Sequence, residues 1–390
     1  MKPITALIIL ILTTTICFAQ NLNSGGPAES HFYQELPYEE INGKIIIDVE
    51  IAGHIHKFLL DTGAPFTIND EIATELGVSA NKESSLTDAV GNTAPIKITS
   101  VKNVKLGNIA FNNVPALIGT NLLFKCFGVD GCIGSNLLRS TILKFDSKNK
   151  RVVITDDASR LSLNEQNSIP MDIKKDKQST PFFILNVGSA TGDYYFDTGD
   201  NRFMSLSNSY LDVFKMHNAC AVVATGYGGN SFSENGAENN NVKQRVLFPV
   251  ISLGTATFKN VKTETIFRKD GSGNNSMGEK LLDYGTVTLD YLHGKLYYEP
   301  FSADTDLTEK SWPIAPTVSD GKMIIGVVWD KLKDTLKPGL QIIAIDGVSY
   351  EQVDVCNLLR QKSILQGKDQ AVLTIKDEKG ELRQISIVRE

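Results

Sequence analysis

The chain has 390 residues, 42% hydrophobic and 22% charged, with a formal net charge of −6. That length holds two or three domains, each able to bury its own core, and the composition is that of an ordinary globular protein. The acidic balance and the absence of a Lys/Arg run argue against nucleic acid as a partner, and no His/Cys/Asp cluster has metal-ligand spacing, so neither metal nor cofactor is expected.

The chain opens Met1-Lys2-Pro3, continues with an apolar run over 4–16, and reaches Cys17-Phe18-Ala19-Gln20. This is the form of a signal peptide, residues 1–19, cut after Ala19 and directing export to the periplasm or the exterior. The run is too short to span a bilayer, and no later segment is apolar enough, so no membrane span is expected. Lipidation of Cys17 would call for a small residue where Ile16 stands.

Residues 45–51 form a β-rich run, followed by a Gly-containing turn and a second strand ending in Phe58-Leu59-Leu60-Asp61-Thr62-Gly63-Ala64. His54 and His56 flank that turn and are expected in solvent. A helix is expected over 70–76, with Gly77 as its cap. Short strands follow over 106–118, then Ile133-Gly134-Ser135-Asn136-Leu137-Leu138, and a hairpin over 143–154 closes the unit.

The same order then returns. Residues 182–187 are a strand, and 194–200 read Tyr-Tyr-Phe-Asp-Thr-Gly-Asp, placing Asp197, Thr198 and Gly199 where Asp61, Thr62 and Gly63 stood. Residues 253–266 echo 106–118, Met277-Gly278-Glu279-Lys280-Leu281-Leu282 echoes 133–138, and a hairpin over 288–298 closes the second copy. Three signals in conserved order indicate a tandem duplication, with an insertion of about ten residues in the second copy. Short strands at regular spacing indicate a β-barrel or sandwich in each.

Residues 302–316 read as a linker without apolar periodicity, so only modest contacts between the last unit and the rest are expected. That unit has a strand near 323–328, a segment Leu336-Lys337-Pro338-Gly339-Leu340, a helix near 353–362, and closing strands at 371–376 and 382–388. Beyond the leader four cysteines remain: Cys126, Cys132, Cys220 and Cys356. Cys126 and Cys132 are close enough in sequence to close a small loop, but four cysteines allow three pairings, and four buried thiols fit equally well.

An apolar strand ending in Asp-Thr-Gly buries a carboxylate at its mouth. A lone motif of this kind is an ordinary turn, but two at matching places in duplicated units would face each other across a pseudo-twofold axis. With Leu59-Leu60-Asp61-Thr62-Gly63-Ala64 and Ile133-Gly134-Ser135-Asn136-Leu137-Leu138, the chain over about 40–300 resembles the retropepsin and pepsin superfamily of aspartic peptidases. The resemblance implies a mostly β fold: two retropepsin-like β-barrel lobes in tandem, here 38–158 and 165–301. The last unit, 318–390, is similar to a PDZ domain, an α+β fold.

The resemblance further implies that Asp61 and Asp197 share one proton and activate a water against a peptide bond, with no covalent intermediate. Thr62, Gly63, Thr198 and Gly199 would support the loops. Flap positions fall at Asp88, Val90 and Gly91 in the first copy and at Gly226 and Gly228 in the second, the latter in a polar stretch through 238–241 that reads as a disordered loop. The PDZ-like unit would bind an extended peptide along Ile324, Ile325, Gly326 and Val327, for substrate tethering or regulation. Both motifs lie in one polypeptide, so a monomer acting on peptide or protein substrates is expected.

One residue departs from the pattern. Asp200 stands where the superfamily has a small residue; it would raise the pair's pKa values or displace a neutral partner, unless it faces solvent or pairs with Arg202. Together with the looser second copy, it supports an alternative: a non-catalytic peptide-binding protein that retains the fold. Serine or cysteine hydrolysis has no Gly-x-Ser-x-Gly elbow to support it.

Overall fold

The computed structural model describes residues 22–80, 82–233, 235–268 and 273–390. The leader expected at 1–19 lies outside them. Among the described residues no helix is long and apolar enough to cross a membrane.

The chain is mostly β, and one pairing scheme occurs in both halves. In the first, Lys44–Ile51 and His54–Leu60 form a hairpin, and the second strand runs parallel to Gly131–Ile133, with Leu60 opposite Ile133. In the second, Phe182–Val187 and Ala190–Asp197 form the hairpin, and Asp197 lies opposite Gly278 of the parallel strand Asn275–Gly278. The third strand of each set, Thr67–Ile68 and Met204–Ser207, runs antiparallel to that partner. Phe58, Leu59 and Leu60 are all buried, as a strand covered on both faces requires. Long hairpins complete each half: Thr93–Leu106 with Ile109–Ile118, and Asn241–Leu253 with Ala256–Ile266.

A six-stranded antiparallel sheet joins the halves. Its order is Tyr33–Pro37, Arg151–Thr155, Ile142–Asp146, Gly285–Asp290, Lys295–Pro300, Ser168–Asp172. The closing hairpin of each half thus meets the other at its centre, with Leu143 opposite Leu289. Phe145 and Phe196 pack edge to face at 5.6 Å across this junction, and one buried cluster includes residues of both halves. The two lobes share a core, so their relative position is fixed by packing.

The helix expected at 70–76 spans Asp70–Glu75, capped by Asn69, whose Oδ1 accepts from the Ile72 amide at 2.8 Å. Helices Leu122–Phe127 and Asn208–Met216, capped by Asn121 and Ser207, were not expected. His56 also differs from expectation. Its side chain is mostly buried, with Nδ1 at 3.2 Å from Asp130 Oδ2, whereas His54 is exposed.

The C-terminal unit contains Ile314–Ser319, Lys322–Trp329, Gln341–Ile345, helix Val355–Arg360, and the hairpin Gln370–Lys376 with Leu382–Val388. It has its own buried cluster, including Ile325, Ile342, Leu373 and Ile375, yet it is not loosely hung on the rest. Lys322–Trp329 pairs on one side with Ile314–Ser319. On the other it meets Gln341 at Ile324, and then the second-lobe strand Ala221–Gly228 at Val327–Trp329. Ile325 and Val327 are buried, so the edge expected to take a peptide at Ile324–Val327 is already occupied. Gly228 permits this approach, since a Cβ there would collide with the Gly326 carbonyl.

A covalent link adds to the sheet contact. Cys126 on helix Leu122–Phe127 is disulfide-bonded to Cys356 on helix Val355–Arg360, 230 residues away in sequence. The small loop suggested by Cys126 and Cys132 does not form; Cys132 and Cys220 remain thiols. Closing so long a loop restricts the unfolded chain strongly. The Cys126→Ser/Cys356→Ser double variant should therefore lose about 5 kcal/mol of stability, measured by urea denaturation against the oxidised wild type.

Candidate active site

Strands His54–Leu60 and Ala190–Asp197 run inward to the junction and end at the two Asp-Thr-Gly turns. Crossed hydrogen bonds lock the turns together. Thr62 Oγ1 donates to the Phe196 carbonyl at 2.7 Å and accepts from the Thr198 amide at 3.1 Å. Thr198 Oγ1 donates to the Leu60 carbonyl at 2.7 Å and accepts from the Thr62 amide at 3.1 Å. Both threonines are buried, so each bond satisfies a group that water cannot reach.

This lock brings the carboxyls of Asp61 and Asp197 side by side, close enough for each to act on the other's proton affinity. Asp61 Oδ1 accepts from the Gly63 amide at 2.9 Å, and Asp197 Oδ1 from the Gly199 amide at 2.8 Å. Each glycine lies directly under the opposite carboxylate: a Cβ on Gly63 would sit 2.6 Å from Asp197 Oδ1, and Gly199 is closer still to Asp61. No side chain fits at either position.

Each turn is also held from the opposite lobe. Gln178 Nε2 donates to the Gly63 carbonyl at 3.0 Å, and the Lys44 ammonium donates to the Gly199 carbonyl. Ser135 Oγ supports the first turn through the Thr62 carbonyl at 2.7 Å and meets Tyr291 Oη at 2.9 Å.

The pair is electrostatically uneven. Burial pushes both carboxyls up, and Asp197 lies well above the ordinary carboxylate range because Asp61 and Asp200 add negative charge beside it. Asp61 is raised by burial but opposed first by Lys44 and then by the Gly63 amide. Burial, and then the charges of Asp197, Asp200 and Asp61, push the Tyr195 phenol far up. Close like charges cannot both ionise freely in such a site.

Asp200 pairs with Arg202. Its Oδ1 accepts from Arg202 Nε at 2.8 Å, and its Oδ2 from Ser276 Oγ at 3.0 Å and from Ser205 Oγ. Although burial raises it, the Arg202 charge and these bonds hold its carboxyl below the usual value. Behind it, the Glu279 amide donates to the Asp200 carbonyl at 2.8 Å, and the Glu279 carboxyl is pushed up to about 7 by burial, with Glu40 and Asp283 adding.

A cavity of about 490 Å³ lies over the pair and is lined by Asp61, Asp197, Lys44, Tyr195 and Arg202 among others. The first-lobe hairpin Lys82–Thr87/Thr93–Leu106 roofs it, with Val90 buried and lining the cavity. Asp88 shapes the tip: Oδ1 accepts from the Val90 and Asn92 amides at 3.1 and 2.8 Å, and Oδ2 from the Asn235 amide of the other lobe at 3.1 Å. Asn92 Nδ2 reaches the Ala237 carbonyl at 3.0 Å. The second-lobe stretch expected to be disordered is built instead: Phe232–Ser233 pairs with Gly236–Ala237, and Glu238 and Lys243 form a buried ion pair at 2.8 Å. Gly226 and Gly228 lie in the strand beside Lys322–Trp329, outside the residues lining this cavity.

The sequence reading had not singled out Lys44, Gln178 or Tyr195. Tyr195 immediately precedes Phe196-Asp197, where the first copy has Leu59, and that mismatch between copies was the one available signal. Lys44 and Gln178 act across the lobes, and spacing along the chain does not reveal them.

Residues 47–140 match the family model described as “gag-polyprotein putative aspartyl protease”. Among solved structures, a retropepsin-like aspartic protease from Rickettsia conorii is similar at 19% identity, covering 32% of this chain and 92% of that one, with a TM-score of 0.24. The search of curated proteins returned no match.

The crossed threonine bonds yield a direct test. Thr198→Ala strands the buried Thr62 amide and leaves the Leu60 carbonyl with one partner fewer. It should cost about 2 kcal/mol in chemical denaturation, and Thr198→Ser, which keeps the oxygen, should cost less than half of that.

Proposed function

We propose that the chain is an aspartic endopeptidase acting through Asp61 and Asp197. The observation that carries this reading is the pair of half-buried carboxyls set side by side, with raised proton affinities, at the floor of a roofed cleft. The family match over 47–140 supports the chemistry for the first half of the pair, and the repeated strand pairing supports a second, equivalent lobe in the same chain, so that a monomer is sufficient.

In this reading Asp61, the less raised of the two, is the ionised member, and Asp197 holds the shared proton. Asp61 takes a proton from water as the water oxygen attacks the scissile carbonyl carbon, while Asp197 gives its proton to the carbonyl oxygen. The tetrahedral diol then collapses: one hydroxyl returns its proton to Asp197, the C–N bond breaks, and the leaving nitrogen takes the proton held by Asp61. The roof hairpin carrying Asp88, Val90 and Gly91 covers the bound peptide and limits water access. Pairing with Arg202 leaves Asp200 a charged neighbour rather than a competitor for the shared proton, which weakens the case for a non-catalytic relative. The Cys126–Cys356 disulfide suits an oxidising compartment and supports export with the leader removed after Ala19. The strand and helix order of 318–390 supports a PDZ-like unit. Its contact with the Gly226–Gly228 strand favours regulation over tethering through Ile324–Val327.

Asp61→Asn and Asp197→Asn should each abolish hydrolysis of a quenched fluorescent peptide while leaving the circular dichroism spectrum unchanged. Near-normal turnover by either variant would rule out a two-carboxylate mechanism.

Lys44 supplies a pH test. Its positive charge lowers the pKa of both Asp61 and Asp197, so removing it raises both. Lys44→Gln, which keeps a donor for the Gly199 carbonyl, should move both limbs of the kcat/KM profile toward alkaline pH. A shift toward acid would contradict the assigned electrostatics.

A further inference from the structure

The cavity over the carboxyl pair has one wall from an unexpected source. Leu359, on the C-terminal helix Val355–Arg360, lines the same cavity as Asp61 and Asp197. It is half-buried and packs on a cluster that includes Leu59 and Ala64, the residues flanking the Asp61 turn, together with Phe124 and Phe127 of the first lobe. Leu59, Ala64, Leu123, Phe124, Phe127 and Leu359 give the cavity an apolar side next to Asp61, whereas Asp200, Asn201, Arg202 and Ser276 give it a polar side next to Asp197.

The placement of Leu359 is fixed in two ways. Three residues earlier, Cys356 is bonded to Cys126 on the helix that carries Leu123, Phe124 and Phe127. The Leu359 carbonyl accepts from Asn42 Nδ2 at 2.8 Å, and the Asn42 carbonyl in turn accepts from Asn201 Nδ2 of the second lobe at 2.8 Å. Two residues on, Lys44 holds the Gly199 turn. The tip of the hairpin Glu39–Ile41/Lys44–Ile51 therefore ties the C-terminal helix to the second carboxylate's loop.

From this geometry we infer that the C-terminal unit is a working part of the substrate cleft, and that Leu359 is a specificity-determining residue selecting a bulky apolar side chain on the Asp61 side of the scissile bond. The inference rests on the peptidase reading for its substrate class, but the selectivity it assigns is read separately from turnover. A flexible tether would leave the selectivity of a short peptide unchanged; a wall residue sets it. Differences of a few methylenes in an apolar subsite are worth about 10- to 200-fold in kcat/KM.

The test uses the full oxidised chain and peptides differing at one residue, Phe against Ala, at each position flanking the cleaved bond. Wild type should prefer Phe at one of these positions. Leu359→Trp, which fills the space, should cut that preference at least about tenfold and leave the other positions unchanged. Leu359→Ala, which enlarges it, should shift the preference from Leu toward Trp at that same position. Thermal denaturation of both variants checks that the fold is kept. The same peptides, labelled and titrated against Asp61→Asn by fluorescence anisotropy, give the selectivity as a ratio of Kd values without catalysis. A wild type that binds these peptides selectively but cleaves none would defeat the peptidase reading and leave this inference standing. Ratios unchanged by both substitutions, or no binding of either peptide, would overturn it.

Discussion

The crossed hydrogen bonds between Thr62 and Thr198 are the constraint on which the rest depends. Two carboxyls in contact repel when ionised and lose hydration when buried, so nothing about the carboxyls themselves holds them together. The threonines do so from beneath. Each hydroxyl donates to the carbonyl two residues before the opposite threonine and accepts from that threonine's own amide, which fixes the separation of the two turns and leaves no buried group in the crossing unpaired. The shared sheet and the Phe145–Phe196 contact set the lobes at the distance where those short bonds can form.

Three long-range contacts hold the segments around this floor. The first-lobe hairpin is latched to the second lobe through Asp88–Asn235 and Asn92–Ala237. The second-lobe strand ending at Gly228 is held by the C-terminal strand Lys322–Trp329. The C-terminal helix is held by Cys126–Cys356. Each of these contacts joins segments about a hundred residues or more apart, so the cavity is a property of the assembled chain and of no single lobe.

Much of this was legible in the sequence, and what was legible was local. An apolar strand ending in Asp-Thr-Gly carries its own burial pattern and turn chemistry, so Asp61 and Asp197 stood out, as did helix 70–76 with its cap. Asp200 was recognised as a departure, and Arg202, two residues away, was among its candidate partners. The rest was set by tertiary contact. Cys126 pairs with Cys356 because two short helices meet, although Cys132 is nearer in sequence. Ile324–Val327 has the look of an open strand edge, but Gly226 and Gly228, side chain-free, let another strand dock beside it. Polar composition of the stretch through 238–241 suggested disorder, but the buried Glu238–Lys243 pair and the latch to the first-lobe hairpin give that stretch partners that composition does not show.

The least legible feature is the one that makes the surroundings of the two carboxyls unequal. The fold is nearly twofold at the dyad, and two identical acids in identical surroundings would have no reason to differ. Gln178 and Lys44 break that equivalence while preserving the geometry. Each reaches from one lobe to the glycine carbonyl of the other lobe's turn, but one brings a dipole and the other a full positive charge. That charge is the leading influence opposing burial at Asp61, whereas at Asp197 it ranks behind the repulsion from Asp61 and Asp200. Tyr195 stands where the first copy has Leu59 and puts a phenol beside the pair. The two carboxyls of this near-repeat therefore have unequal surroundings: Lys44 opposes burial most strongly at Asp61, while the charge of Asp200 adds to it at Asp197.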